Sequence, residues 1–114
     1  MIDRMTAALD TRPAGTVVHI TGDLDYETAQ DLRTLLSTIV LSSGRRLVLD
    51  LSGLRSCDSS GITTILAARN LALAAQAVFA LAAVPDQTAR ILRLTGIDRI
   101  LPRYPDAESA MRAP

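Results

Sequence analysis

Leu47-Val48-Leu49-Asp50-Leu51-Ser52-Gly53-Leu54-Arg55-Ser56-Cys57-Asp58-Ser59-Ser60-Gly61 joins an apolar run to a turn made of an aspartate, two serines and a glycine. Leu47 to Leu51 is nearly continuous apolar sequence, the pattern of a strand covered by helices on both faces, and it is expected to be central in its sheet. A short loop follows, and a helix opens near Ile62. Ser59 and Ser60 therefore stand where a helix start concentrates unpaired N–H groups, a place that favours added negative charge such as a phosphate. The same place suits a serine that only caps the helix.

Upstream, Arg4 to Thr11 reads as a first strand, turned back by Arg12-Pro13-Ala14-Gly15 into Thr16 to Thr21, which makes an antiparallel hairpin. Asp25 can cap a helix whose apolar face is Ala29, Leu32, Leu35, Leu36 and Ile39, ending near Ser42-Ser43-Gly44. Downstream, the second helix is expected to turn Ile62, Ile65, Leu66 and Leu73 inward and to leave Thr63, Thr64, Ala67 and Asn70 on an outer surface of small residues. Pro85-Asp86 starts a third helix with Ile91 and Leu94 inward, and Thr95-Gly96 supplies its stop. Arg99-Ile100-Leu101 reads as a short last strand. Pro105-Asp106 opens a terminal helix with Ala107, Ala110 and Met111 on one side. Strands separated by helices imply parallel crossovers, so the fold class is α/β, a mixed sheet with helices packed on it.

Gly22-Asp23-Leu24-Asp25, the strand and turn from Leu47 to Gly61, and Leu94-Thr95-Gly96-Ile97 occur in an order and spacing that resemble the STAS domain family, in its anti-sigma factor antagonist branch. The resemblance runs from about Thr16 to the last residues. It implies a mostly parallel sheet with an antiparallel edge strand at the amino terminus and about four helices. It also places a turn near Ala74 to Gln76 and a strand over Ala77 to Ala82, where pattern alone would let the second helix run on to Val84. In that family the serine directly after the aspartate accepts a phosphoryl group, which maps the role onto Ser59. Partner contacts are then expected from Asp23, Asp25, Asp58, Ser60, Gly61, Thr63 and Thr64, with Asp23 and Asp25 adding a negative rim. The implied partners are an anti-sigma factor that is also a serine kinase, and a serine phosphatase that restores the unmodified form. The kinase would bring ATP and metal, so the chain itself needs no cofactor. A second role carried by STAS-like domains is that of a constitutive structural subunit in transporter-associated or stress-sensing complexes.

Composition bounds these readings from outside. The 114 residues suit one domain with one core, and 48% hydrophobic with 21% charged residues is ordinary globular composition. Twelve basic and twelve acidic residues leave a formal net charge of zero, so no overall field points to nucleic acid or an anionic membrane. Cys57 is the only cysteine, which rules out an internal disulfide and fits the cytosol. Met1 to Leu9 carries Asp3 and Arg4 and does not read as a signal peptide, and Leu71 to Val84 is too short for a spanning helix.

The inventory also argues against an enzyme. His19 is the only histidine and sits in a strand, Ser59 lacks the Gly-x-Ser-x-Gly turn of hydrolases, and no lysine exists to complete a phosphate loop. One histidine and one cysteine do not make a zinc site. Cys57 has no charged neighbour that would favour its thiolate, and it reads as a small packed side chain.

Overall fold

A computed structural model of the chain describes residues 4–113. The elements run β1 (Met5–Arg12), β2 (Gly15–Leu24), α1 (Tyr26–Leu36), β3 (Arg46–Cys57), α2 (Ser59–Ala74), β4 (Val78–Ala82), α3 (Asp86–Thr95), a 3-10 turn (Ile97–Ile100), β5 (Arg103–Tyr104) and α4 (Ala107–Arg112). The five strands lie side by side in chain order, β1 antiparallel to β2 and all later pairs parallel. This is the expected α/β class with its antiparallel amino-terminal edge.

Strand alternation divides the interior into two unequal layers. Val18, Ile20, Leu47, Leu49, Leu51 and Leu81 point to one face, where α1 adds Leu32 and Leu36, α2 adds Ile62 and Ile65, and α3 adds Leu92. The opposite face is thinner. Val17, Val48, Ala80 and Ala82 are covered there by Ala110 and Met111 of α4, the inward side expected for that helix. Leu47, Val48, Leu49 and Leu51 are all essentially sealed from solvent, so β3 is the central strand buried on both faces.

β3 is longer than its apolar run. It continues through Ser52 to Cys57, read from sequence as a loop, because β2 also continues and pairs Gly22 with Leu54, Asp23 with Ser56 and Leu24 with Cys57. Two register shifts make this possible, one between His19 and Thr21 and one between Gly22 and Asp23. Gly53 allows the close approach: a Cβ there would sit 2.5 Å from Thr21 Cγ2.

Several boundaries and faces differ from expectation. α1 stops at Leu36, not near Ser42, because the Ser37 and Thr38 hydroxyls donate to the Thr34 and Leu35 carbonyls, each at 2.6 Å, and take over the last-turn acceptors. Ile39 still packs against the core from beyond the helix. In α2 the inward set is Ile62, Thr64, Ile65, Ala68 and Ala72, so Thr64 is buried and Leu73, one position past Ala72, is exposed. In α3 the inward set is Thr88, Ala89 and Leu92; Ile91 and Leu94 lie outward. Small residues at Thr88 and Ala89 let that helix lie close to the sheet, which selects their face over the bulkier one. Arg99 and Ile100 belong to the 3-10 turn that Gly96 opens at φ +77°, and the final strand falls at Arg103–Tyr104. The turn before β4 is where expected, with Gln76 taking the left-handed conformation, φ +58°, in place of a glycine.

Candidate functional site

The Asp58 to Gly61 turn lies at the carboxyl end of β3, the end at which open parallel sheets present their sites. Asp58 is the N-cap of α2, with Oδ1 accepting from Gly61 N at 3.1 Å, while its own N–H donates to Leu24 O at 3.2 Å. The cap role thus falls to the aspartate, not to Ser59 or Ser60, and both serines are left inside the first turn. Ser59 is exposed and Ser60 half-buried. The first turn of α2 carries no other charge, so the helix dipole acts on the Ser59 position without a basic side chain beside it in the helix.

Gly61 is fixed by packing. A Cβ there would meet Cys57 Sγ at 2.5 Å and Leu24 O at 2.7 Å, so the glycine lets the helix start seat directly on the ends of β2 and β3. Gly61 is buried, and the backbone it admits is the protein's own. Cys57 is enclosed by this contact; burial first, and then the Asp58 charge, push its thiol up to about 12, which keeps it protonated and unreactive at neutral pH.

The two threonines expected on the outer surface separate. Thr63 is exposed and its hydroxyl donates to Ser59 O at 2.9 Å, tying it to the backbone of the candidate phosphoacceptor. Thr64 is fully buried and donates to Ser60 O at 2.9 Å, so it braces the turn from inside and offers a partner nothing.

Asp23 and Asp25 flank the turn through β2, whose last residue Leu24 pairs with Cys57. Their charges are not free. Ser56 Oγ donates to Asp23 at 2.8 Å and Arg55 Nη2 at 3.0 Å; these two bonds, the serine's first, hold the Asp23 carboxyl below the usual carboxylate range. Asp25 caps α1 by accepting from Glu27 N at 3.0 Å and Thr28 N at 3.2 Å, while Thr28 Oγ1 accepts from Asp25 N at 2.9 Å to close a capping box. Arg4 bridges Asp25 and Glu27. The expected negative rim is therefore a row of paired charges, with Arg4 and Arg55 as its cations.

Tyr26 was missed by sequence reasoning. It is 82% exposed and lines a shallow groove between α1 and the start of α2, together with Ala29, Gln30 and Ser60. A large aromatic ring left in water beside the turn is the kind of side chain that anchors interfaces. Its available signal was its position directly after Asp23-Leu24-Asp25.

His19 lies on the sheet face that carries α4, opposite α2, with Nδ1 2.6 Å from Asp50 Oδ2. It is not brought to Ser59. Among the described residues no group of three or more His, Cys, Asp or Glu side chains is placed to hold a metal ion, and no helix is long and apolar enough to cross a membrane.

Residues 7–102 match the family model described as Mlab, STAS domain. Among solved structures, an anti-sigma factor antagonist from Mycobacterium paratuberculosis is similar at a TM-score of 0.78 and 26% identity, over 96% of this chain and 92% of that one. The phosphorylated form of SpoIIAA, a Bacillus cell fate determinant, gives a TM-score of 0.71 at 17% identity, over 96% of this chain and 100% of that one. A sulfate transporter family protein from Wolinella succinogenes gives 0.75 at 14% identity, over 90% and 85%. Because the family match runs from within β1 almost to β5, and the fold agrees over nearly the whole chain, the protein belongs to the STAS domain family, and its structural likeness extends to that family's anti-sigma factor antagonists.

Proposed function

We propose that this protein is an anti-sigma factor antagonist whose unmodified form binds an anti-sigma factor serine kinase and frees a sigma factor, and that phosphorylation of Ser59 reverses the binding. The observation that carries this reading is the exposed Ser59 in the first turn of a helix whose start is clamped by Asp58 and Gly61. A hydroxyl held in this way can enter a kinase active site without local unfolding. The likeness to the mycobacterial antagonist and to a fold relative known in a phosphorylated form supports the same reading.

Phosphorylation adds a charge of about −1.5 to −2. Asp58 stands next to it; Arg4 and Arg55 pair with Asp25, Glu27 and Asp23, and Arg33 shares the groove that Ser60 lines. The phosphate brings this added charge to the exposed surface on which a partner docks. Each ~1.4 kcal/mol of like-charge repulsion weakens a complex about tenfold. In this reading the chain is a substrate and a binding surface, not an enzyme; catalytic base, ATP and metal belong to the kinase, and a serine phosphatase resets the switch.

A pulldown from cell lysate with unmodified protein, Ser59→Ala and Ser59→Asp tests this. An ATP-dependent anti-sigma kinase retained by the first two and lost with Ser59→Asp is expected, together with phosphate incorporation abolished by Ser59→Ala and preserved in Ser60→Ala. A second reading, a constitutive STAS subunit of a transporter-associated complex, draws on the fold likeness to a sulfate transporter family protein. Recovery of the same transporter subunits by all three proteins, with no kinase, would replace the switch by that subunit role.

A further inference from the structure

The carboxyl end of α2 carries a surface that the Ser59 switch does not use. Leu73 is 51% exposed, Val78 at the start of β4 42%, and Ile100 in the 3-10 turn 46%. They converge on a groove floored by Phe79 and closed by Pro102, with Arg69 at its edge. Arg69 Nε donates to Ile100 O at 3.2 Å, and among the described residues no carboxylate pairs with its guanidinium.

The sheet is incomplete at the same place. β5 pairs only with Leu81 and Ala82. Val78 N donates to Arg45 O at 2.7 Å on the β3 side, and Leu81 N donates to Pro102 O at 2.8 Å on the β5 side. By strand alternation Phe79 turns its main-chain N–H and C=O the same way as Leu81, where β5 no longer runs. Phe79 itself is only 5% exposed, so the groove offers apolar walls and a cation without a carboxylate partner, and none of its lining residues is acidic.

We propose that this groove is a second docking surface, filled by an acidic segment of a partner protein that places a bulky apolar side chain among Leu73, Val78 and Ile100, over Phe79, and sets a carboxylate on Arg69. The charge selects the occupant: an apolar segment with basic flanks would meet Arg69, and an exposed Arg99 beside Ile100, with like charge. Leu73 lies fourteen positions along α2 from Ser59, about 21 Å at helical rise. A partner held here is beyond a Debye length, about 8 Å at physiological salt, from a phosphate on Ser59. The protein could then stay attached to one partner while its other end is switched.

The test is a titration of 15N-labelled full-length protein, followed by amide chemical shifts, with an acetylated Glu-Asp-Leu-Phe-Asp-Glu peptide and a Lys-Arg-Leu-Phe-Arg-Lys control. Saturable shifts at Leu73, Phe79 and Ile100 with the acidic peptide alone are expected, weakened about fivefold by Leu73→Ser and again by Arg69→Gln, with variant folding checked by circular dichroism. No shifts at millimolar peptide, equal response to both peptides, or shifts elsewhere on the surface would overturn the proposal. Vesicles of equal dioleoyl phosphatidylglycerol and phosphatidylcholine form a further arm. Perturbation of the same amides by vesicles and not by peptide would overturn it in favour of a membrane-facing surface.

Discussion

Two strand-to-helix junctions occupy equivalent places at the carboxyl edge of the parallel sheet, and they are built differently. Between β3 and α2 the chain crosses in one residue, Asp58, whose side chain caps the helix and whose N–H is held by Leu24, with Gly61 pressed against Cys57. Between β4 and α3 the chain takes Ala83-Val84-Pro85; Ala83 is in the left-handed region at φ +53°, and Pro85 makes no side-chain cap. Both junctions have the same position relative to sheet and helix dipole. Only the first has a small exposed hydroxyl on a clamped backbone, so topology provides the place and local packing makes it a site.

That contrast can be broken most directly at Gly61. Gly61→Ala forces a Cβ onto Cys57 Sγ and Leu24 O, and a loss of about 2 to 3 kcal/mol is expected in urea unfolding. Adding Cys57→Ala should recover only part of it, because the Leu24 carbonyl remains. A full recovery would show that the thiol, not the backbone, sets the approach of α2. Asp58→Ala removes a cap without a clash and should cost about 1 kcal/mol, with faster amide exchange at Gly61. At the other junction Ala83→Gly should do the reverse. Relief of the left-handed alanine outweighs the added chain entropy of glycine, for a gain of about 0.5 kcal/mol in the same denaturation experiment.

The smallest effect is expected at acid pH. Asp23 is held below its ordinary range by Ser56 and Arg55, so it contributes stability above its unfolded value of about 3.9 and loses that contribution as pH falls through its lower folded value. Asp23→Asn should therefore flatten the stability profile in that window and leave its shape above pH ~5 unchanged. A profile that stays equally steep would assign the acid sensitivity to another carboxylate.

The central strand and the turn were legible because their signals are local: four apolar residues among the five from Leu47 to Leu51, then four residues with few alternative uses. The capping by Asp25 was legible for the same reason, an acidic residue directly before a helical pattern, and Pro105-Asp106 marked the start of the last helix, which Asp106 caps. Helix faces were harder. α2 reads Ser-Ser-Gly-Ile-Thr-Thr-Ile-Leu-Ala-Ala-Arg-Asn-Leu-Ala-Leu-Ala, apolar on nearly every side, so period alone did not separate buried Ala72 from exposed Leu73, or buried Thr64 from exposed Thr63. At the site, the aspartates were found but their cations were not. Arg4 and Arg55 meet Asp25 and Asp23 across 21 and 32 positions of sequence, a pairing set by strand register, which no local pattern encodes.

The order of strands in the sheet also bears on how the chain is made. Each strand pairs only with its predecessor and successor in sequence, so no strand must wait for a distant segment before it can dock. During translation the β1–β2 hairpin emerges before the later strands, and each of these finds its neighbour already outside the exit tunnel. Assembly can advance one strand at a time in the direction of translation.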